Sequence, residues 1–176
     1  MGKFSGYEDY NKHIILCDDV PEILPYYVEL PDPPPLEKFK NYGKDPMEQF
    51  YVRDRIPDKL LKMNRLPREE AFNLAMKDKE CANFIAMVWD KRINGEWVFI
   101  GGIPFYFPGF YYMYLNFYHM DIGLPKFRLN DLYKAYWWKF CVVDQPRVYG
   151  VIDFSRRRIG KTFFGGNIQL EAVTRN

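Results

Sequence analysis

The chain is poor in the residues that build redox or metal chemistry. Its three cysteines, Cys17, Cys81 and Cys141, are odd in number, far apart and never in a C-x-x-C arrangement. That argues against a disulfide framework or a cysteine zinc site and for reduced thiols in a cytoplasmic setting. Only His13 and His119 represent histidine, and neither stands in metal-ligand spacing, so both read as ordinary structural or surface residues. Charge of one sign is also scarce. The 25 Lys and Arg against 23 Asp and Glu leave a net +2, too little for general coating of polyanions. The segment Met1 to Gly6 has no apolar signal core, and Gly6 stands where the myristoylation pattern needs Ser or Thr. Trp97 to Tyr118 lacks Lys, Arg, Asp and Glu, but Pro104, Pro108, Gly101, Gly102 and Gly109 interrupt it. A continuous membrane-spanning helix is therefore not expected, and the stretch reads as buried strands of a soluble protein.

Aromatic residues are abundant, at 19% with 14 Tyr and 15 Phe. Tyrosines in such number usually pack the ring and leave the hydroxyl wet. In 176 residues, 48% of them hydrophobic, there is material for one ordinary core. The run Trp97–Tyr118 is chiefly core, with an adenine-stacking surface as a second use that no single residue identifies. Proline gathers at the start: Pro21, Pro25, Pro31, Pro33, Pro34, Pro35, Pro46 and Pro57. Residues 1–66 thus read as an irregular arm lying on the next element, with weak helices at Leu36–Tyr42, Pro46–Arg53 and Pro57–Asn64.

Residues 67–145 read as a helix–hairpin–helix subdomain. Pro67, followed by Glu69 and Glu70, opens a helix that runs to Ile93 and stops at Asn94-Gly95. Lys77, Lys79, Lys91 and Arg92 are most simply its solvated face, with contact to DNA phosphates as the alternative. Trp97–Ile100 and Ile103–Phe107 flank Gly101-Gly102 as a hairpin. Tyr111–Tyr118 fits strand or helix. Asn130 or Asp131 then caps a helix with two adjoining stripes, Leu132, Tyr136 and Phe140 beside Tyr133, Trp137 and Cys141. So broad an apolar face calls for packing against a sheet. Pro146 ends it.

The most informative run is Ser155-Arg156-Arg157-Arg158-Ile159-Gly160-Lys161-Thr162. Before it, Val148–Phe154 reads as a buried strand; after it, Thr162 to Arg175 lacks proline and suits a helix. A strand, a glycine-bearing loop with Lys-Thr and a helix together make a cradle for polyphosphate. Backbone N–H groups face the anionic oxygens, Lys161 reaches the β- and γ-phosphates, and Thr162 supplies a hydroxyl to Mg2+. Gly160 admits close backbone approach. Gly-Lys-Ser/Thr arises by accident in roughly one chain in ten of this length, so the flanking elements carry the reading against a basic surface turn. Ser155 stands where the usual motif has its first glycine.

Several pieces now agree: Lys91-Arg92-x-x-Gly95 closing a long helix, Trp97 and an aromatic hairpin, and Tyr112-Met-Tyr-Leu-Asn-Phe117. Phe127-Arg128, a Tyr/Trp-rich helix and the arginine-bearing loop follow. From Pro67 onward the chain resembles the N-terminal part of the large terminase subunit, the DNA-packaging motor of tailed phages. In that family the first glycine is characteristically missing and arginine stands inside the loop.

The resemblance implies an α/β fold: the beginning of a P-loop NTPase with a parallel sheet (146–176), preceded by the helical and hairpin subdomain. It implies an ATPase using ATP and Mg2+, with Ser155, Arg156, Arg157, Arg158, Ile159, Gly160, Lys161, Thr162 and Phe163 around the nucleotide. Lys161 and Arg157 are its candidate catalytic residues, and Thr162 is the metal ligand. Double-stranded DNA, a portal protein, a small terminase subunit and copies of itself in a ring are the implied partners, in host cytoplasm and without a membrane. The family's acidic metal-holding strand, its water-activating glutamate and its nuclease have no counterpart in the 14 residues after Thr162. The chain alone is therefore expected to hydrolyse ATP poorly. A helicase-like P-loop ATPase and a non-catalytic domain whose basic loop grips nucleic-acid phosphates are the alternatives.

Overall fold

The computed structural model describes residues 13–15, 27–39, 51–120, 123–139 and 161–175. In chain order these form β1 (His13–Ile15), β2 (Tyr27–Glu29), a 3-10 turn (Leu36–Lys38), α1 (Asp58–Met63), α2 (Arg68–Lys77) and α3 (Lys79–Asn94). Then come β3 (Glu96–Ile100), β4 (Ile103–Phe107), α4 (Gly109–Phe117), α5 (Leu129–Trp138) and α6 (Lys161–Arg175). Among the described residues β1 pairs with β2 and β3 with β4, both antiparallel. The strand expected at 148–154, and with it the parallel sheet, lies outside the described residues.

The β3–β4 hairpin is in register from Glu96 opposite Phe107 to Ile100 opposite Ile103. Its two-residue turn, Gly101-Gly102, has φ of 60° and 79°, the left-handed geometry that such tight turns need. β4 is the buried strand. Phe107 is fully enclosed, meeting the Tyr111 ring edge-on at 5.1 Å and stacking on Phe127 at 5.5 Å. Such aromatic pairs add roughly 0.5–1.5 kcal/mol beyond area burial. The α5 stripe closes over the hairpin, with Leu132 and Tyr136 buried and Tyr133 and Trp137 packed at the margin. The Tyr136 hydroxyl donates to the Tyr106 carbonyl at 2.6 Å.

Where the structure departs from the sequence expectations, local chemistry explains the difference. The single helix from Pro67 to Ile93 is two. Asp78 adopts an extended backbone (φ −92°, ψ 118°), and its carboxylate accepts from the Glu80 and Cys81 amides. It therefore caps a new helix instead of continuing the old one. The aromatic run is not all strand, since α4 occupies 109–117. Consecutive Tyr111 and Tyr112 are both fully buried, as is Leu115 a turn later. The Pro108 carbonyl accepts from the Tyr111 and Tyr112 amides at 2.8 and 3.0 Å, starting the helix. α5 starts at Leu129 after Arg128, which makes no side-chain cap, so its N-cap stands two or three residues ahead of the expected Asn130 or Asp131. In the arm, the Leu36–Tyr42 helix is a 3-10 turn as far as described, and 51–53 are not helical. Residues 51–57 have no regular secondary structure, and Arg53 and Asp54 bond to Leu115 and Asn116 of α4.

α3 and α4 approach so closely that a side chain cannot fit between them at one point. A Cβ on Gly109 would lie on top of the Arg92 carbonyl oxygen, itself part of the α3 backbone. Backbone cannot yield as a flexible side chain can. Gly165, by contrast, faces open space within α6. Gly109→Ala is expected to cost about 3 kcal/mol or more by prising the two helices apart, whereas Gly165→Ala should gain roughly 0.5–1 kcal/mol of helix propensity. Urea unfolding of the two variants measures both, and equal effects would contradict the packing described.

Candidate functional site

Lys161, Thr162 and Phe163 are the first three residues of α6. Ser155, Arg156, Arg157, Arg158, Ile159 and Gly160 lie outside the described residues. A helix start leaves amide N–H groups without intrahelical acceptors and concentrates the positive end of the peptide dipoles. The first turn of α6 carries no acidic residue, so nothing in it opposes an approaching anion.

The remainder of α6 is seated on α4 and α3. Asn167, 2% exposed, donates from Nδ2 to the Phe110 carbonyl at 2.9 Å. Ile168 packs on the core. A Cβ on Gly166 would come within 2.6 Å of the Tyr118 hydroxyl. Near the other end, the Arg92 guanidinium donates to Thr174 Oγ1 at 2.9 Å while lying 4.5 Å from the Trp89 ring centroid. Arg92 is buried, which corrects its placement on a solvated face. Beside it an apolar groove of about 240 Å³ is lined by Phe84, Val88, Trp89, Met113 and Phe117. Thr174 stands roughly 20 Å along the helix from Lys161.

A second polar cluster, which periodicity did not reveal, lies beneath α4. Lys91 Nζ is 2.5 Å from Asp54 Oδ2 and 2.7 Å from Glu96 Oε2, and 5.2 Å from the Tyr112 ring centroid. The Tyr112 hydroxyl donates to Asp54 at 3.0 Å and the Tyr51 hydroxyl to Glu96 at 2.9 Å. Asn116 Nδ2 donates to the Tyr51 hydroxyl and to the Tyr112 carbonyl, both at 2.8 Å. Its Oδ1 accepts the Asp54 amide at 3.1 Å. Arg53 completes the set by donating to the Leu115 and Pro125 carbonyls. Lys91 too was expected on the solvated face. Only 13% of its side chain is exposed, because Asp54 from the distant arm and Glu96 just past the end of α3 claim its charge.

Two carboxylates to one ammonium leave a surplus negative charge, which the phenol hydroxyls help to satisfy. Burial lowers the Lys91 ammonium, but Glu96 and Asp54 outweigh it and hold it above the ordinary lysine range. Burial, then Glu96, pushes the Tyr51 phenol far up; burial, then Asp54, does the same to Tyr112. Both therefore remain protonated donors. The cluster is built to hold elements together, its ammonium and phenol donors already engaged by the two carboxylates. The aromatic run supplies core: Phe107, Tyr111 and Tyr112 are enclosed, and the Tyr111 hydroxyl donates inward to the Arg128 carbonyl. Among the described residues no group of three or more His, Cys, Asp or Glu is gathered as for a metal, and no helix is long and apolar enough to cross a membrane.

Because the Lys91 pKa is raised, its contribution is complete below the unfolded value of 10.5 and is lost as pH climbs through the folded one. Lys91→Met, which strands two buried carboxylates, is expected to cost about 3–5 kcal/mol at neutral pH. The deficit should shrink on acidification, as those carboxylates take up protons. Denaturant melts of both proteins from pH 4 to 10 provide the check, and a pH-independent deficit would count against the pairing.

No protein-family model, no curated protein and no solved structure matches this chain.

Proposed function

We propose that the chain is the ATP-binding N-terminal portion of a viral DNA-packaging motor of the large-terminase type. The observation that carries this reading is the run Ser155–Thr162, with Gly160-Lys161-Thr162 falling where helix α6 begins. In that role Lys161 places a point charge on the terminal phosphates and Thr162 takes the Mg2+. The amides of the first helical turn face the anion. Arg157 stabilises charge building on the transferred phosphoryl group, since phosphoryl transfer asks the protein mainly for positioning and electrostatics. In the assembled motor the work would be translocation of double-stranded DNA, alongside a portal protein, a small subunit and further copies in a ring.

Thermal unfolding with and without MgATP tests the reading. At a concentration one hundred times Kd, the nucleotide should add about 2.7 kcal/mol to stability, and Lys161→Ala should abolish the gain. Salt-sensitive DNA binding with no nucleotide effect would replace this reading with that of a non-catalytic phosphate-gripping domain. In an assembled, hydrolysing motor, Arg157→Ala is expected to lower turnover by more than it lowers ATP affinity; equal losses in steady-state kinetics and binding would reduce Arg157 to ground-state contact.

A further inference from the structure

We propose that Gly166 and Asn167 are positioning residues, whose docking on Tyr118 and Phe110 sets where the first turn of α6, with Lys161 and Thr162, stands against a bound triphosphate. The proposal rests on the phosphate-loop reading above and names what holds that site in place.

Glycine inside a helix is costly relative to alanine, and α6 contains two in succession. Their surroundings differ. Nothing lies within 4 Å of a Cβ built on Gly165, whereas one on Gly166 would sit 2.6 Å from the Tyr118 hydroxyl and 3.6 Å from its Cζ. The absence of a side chain at 166 is what allows α6 to come this close. The next residue adds direction. Asn167 is almost wholly buried and donates to the Phe110 carbonyl at 2.9 Å. Apolar contacts such as that of Ile168 with the core tolerate rotation of a helix about its axis. A single buried hydrogen bond to a fixed carbonyl does not.

The seat lies close to the proposed site. Thr162 precedes Gly166 by one helical turn, and Lys161 is about 9 Å along the axis from Asn167. Over so short a span a helix moves as a rod, so a shift at 166–167 reaches its first turn undiminished. The other side of the seat is firm. Phe110 belongs to α4, which is tied down by Asn116 and Tyr112 within the buried cluster and pressed to α3 at Gly109. Displacements of an ångström or less are enough to spoil contacts to a reacting or chelated group.

The test uses the full chain, MgCl2, and fluorescent ATP and ADP analogues titrated by anisotropy. Gly166→Ala demands several tenths of an ångström from the Tyr118 hydroxyl, and Tyr118→Phe removes that atom, leaving Cζ at ordinary contact distance. Expected for Gly166→Ala is about a tenfold loss of MgATP affinity with less than about a threefold loss for ADP, because the terminal phosphate depends most on Lys161 and Thr162. The pair Gly166→Ala with Tyr118→Phe should recover to within about twofold of the parent. Asn167→Asp, of equal shape but unable to donate, should show the same preferential loss of ATP. A purely structural role would lower both affinities in equal proportion. Equal losses, an unaffected Gly166→Ala, or failure of the pair to recover would each overturn the positioning role. Nucleotide binding by the parent that survives Lys161→Ala would instead overturn the phosphate-loop reading, a result obtained without any change at the seat.

Discussion

The buried ammonium of Lys91, shared between Asp54 and Glu96, is the interaction around which the described structure is organised. It ties the end of the proline-rich segment, 37 residues upstream, to the junction where the last turn of α3 passes into the first residue of β3. An ion removed from water is expensive unless its partners are close and their remaining lone pairs are used. Here they are used. Tyr51 and Tyr112 donate to the two carboxylates, and Asn116 bridges the Tyr51 hydroxyl and the Asp54 amide. Phenylalanine at 51 or 112 would fill the same space and leave a carboxylate short of a donor.

α4 carries this arrangement outward. One end abuts the α3 backbone through Gly109, and its middle supplies Tyr112, Leu115 and Asn116 to the core and the cluster. Its two ends, Phe110 and Tyr118, receive α6. The helix that opens with Lys161 is therefore braced from behind by the same element that the Lys91 cluster immobilises. In a nucleotide-driven motor such bracing would couple the state of the phosphate site to the helical subdomain, because neither α4 nor α6 can slide without breaking a buried hydrogen bond.

Local rules recovered the elements whose formation depends on neighbours in sequence. The Gly101-Gly102 turn needs only backbone freedom and two flanking β-forming runs, and the stop at Gly95 only a helix end followed by glycine. The Leu132–Tyr136 stripe needs only helical spacing. Misreadings came where a side chain was claimed by something distant or by its own backbone. Asp78 reads as one more polar residue in a helical pattern until its carboxylate is seen capping the Glu80 and Cys81 amides. Lys91 and Arg92 read as solvated because helical periodicity says nothing of Asp54, Glu96 or Thr174, which lie elsewhere in the chain. The Tyr-x-Tyr-Leu-Asn-Phe run was legible as an aromatic core segment. That its asparagine accepts and donates within one buried cluster was not.

The sequence by itself determined the hairpin, the helix that follows Gly160 and the aromatic character of the core, since each rests on spacing, turn chemistry or composition within a short window. Tertiary structure alone decided which charges are buried, why Asn116, Asn167, Gly109 and Gly166 are the residues they are, and how α6 is held. Those questions turn on the approach of segments tens of residues apart, where ångström-scale fit and desolvation outweigh any local preference.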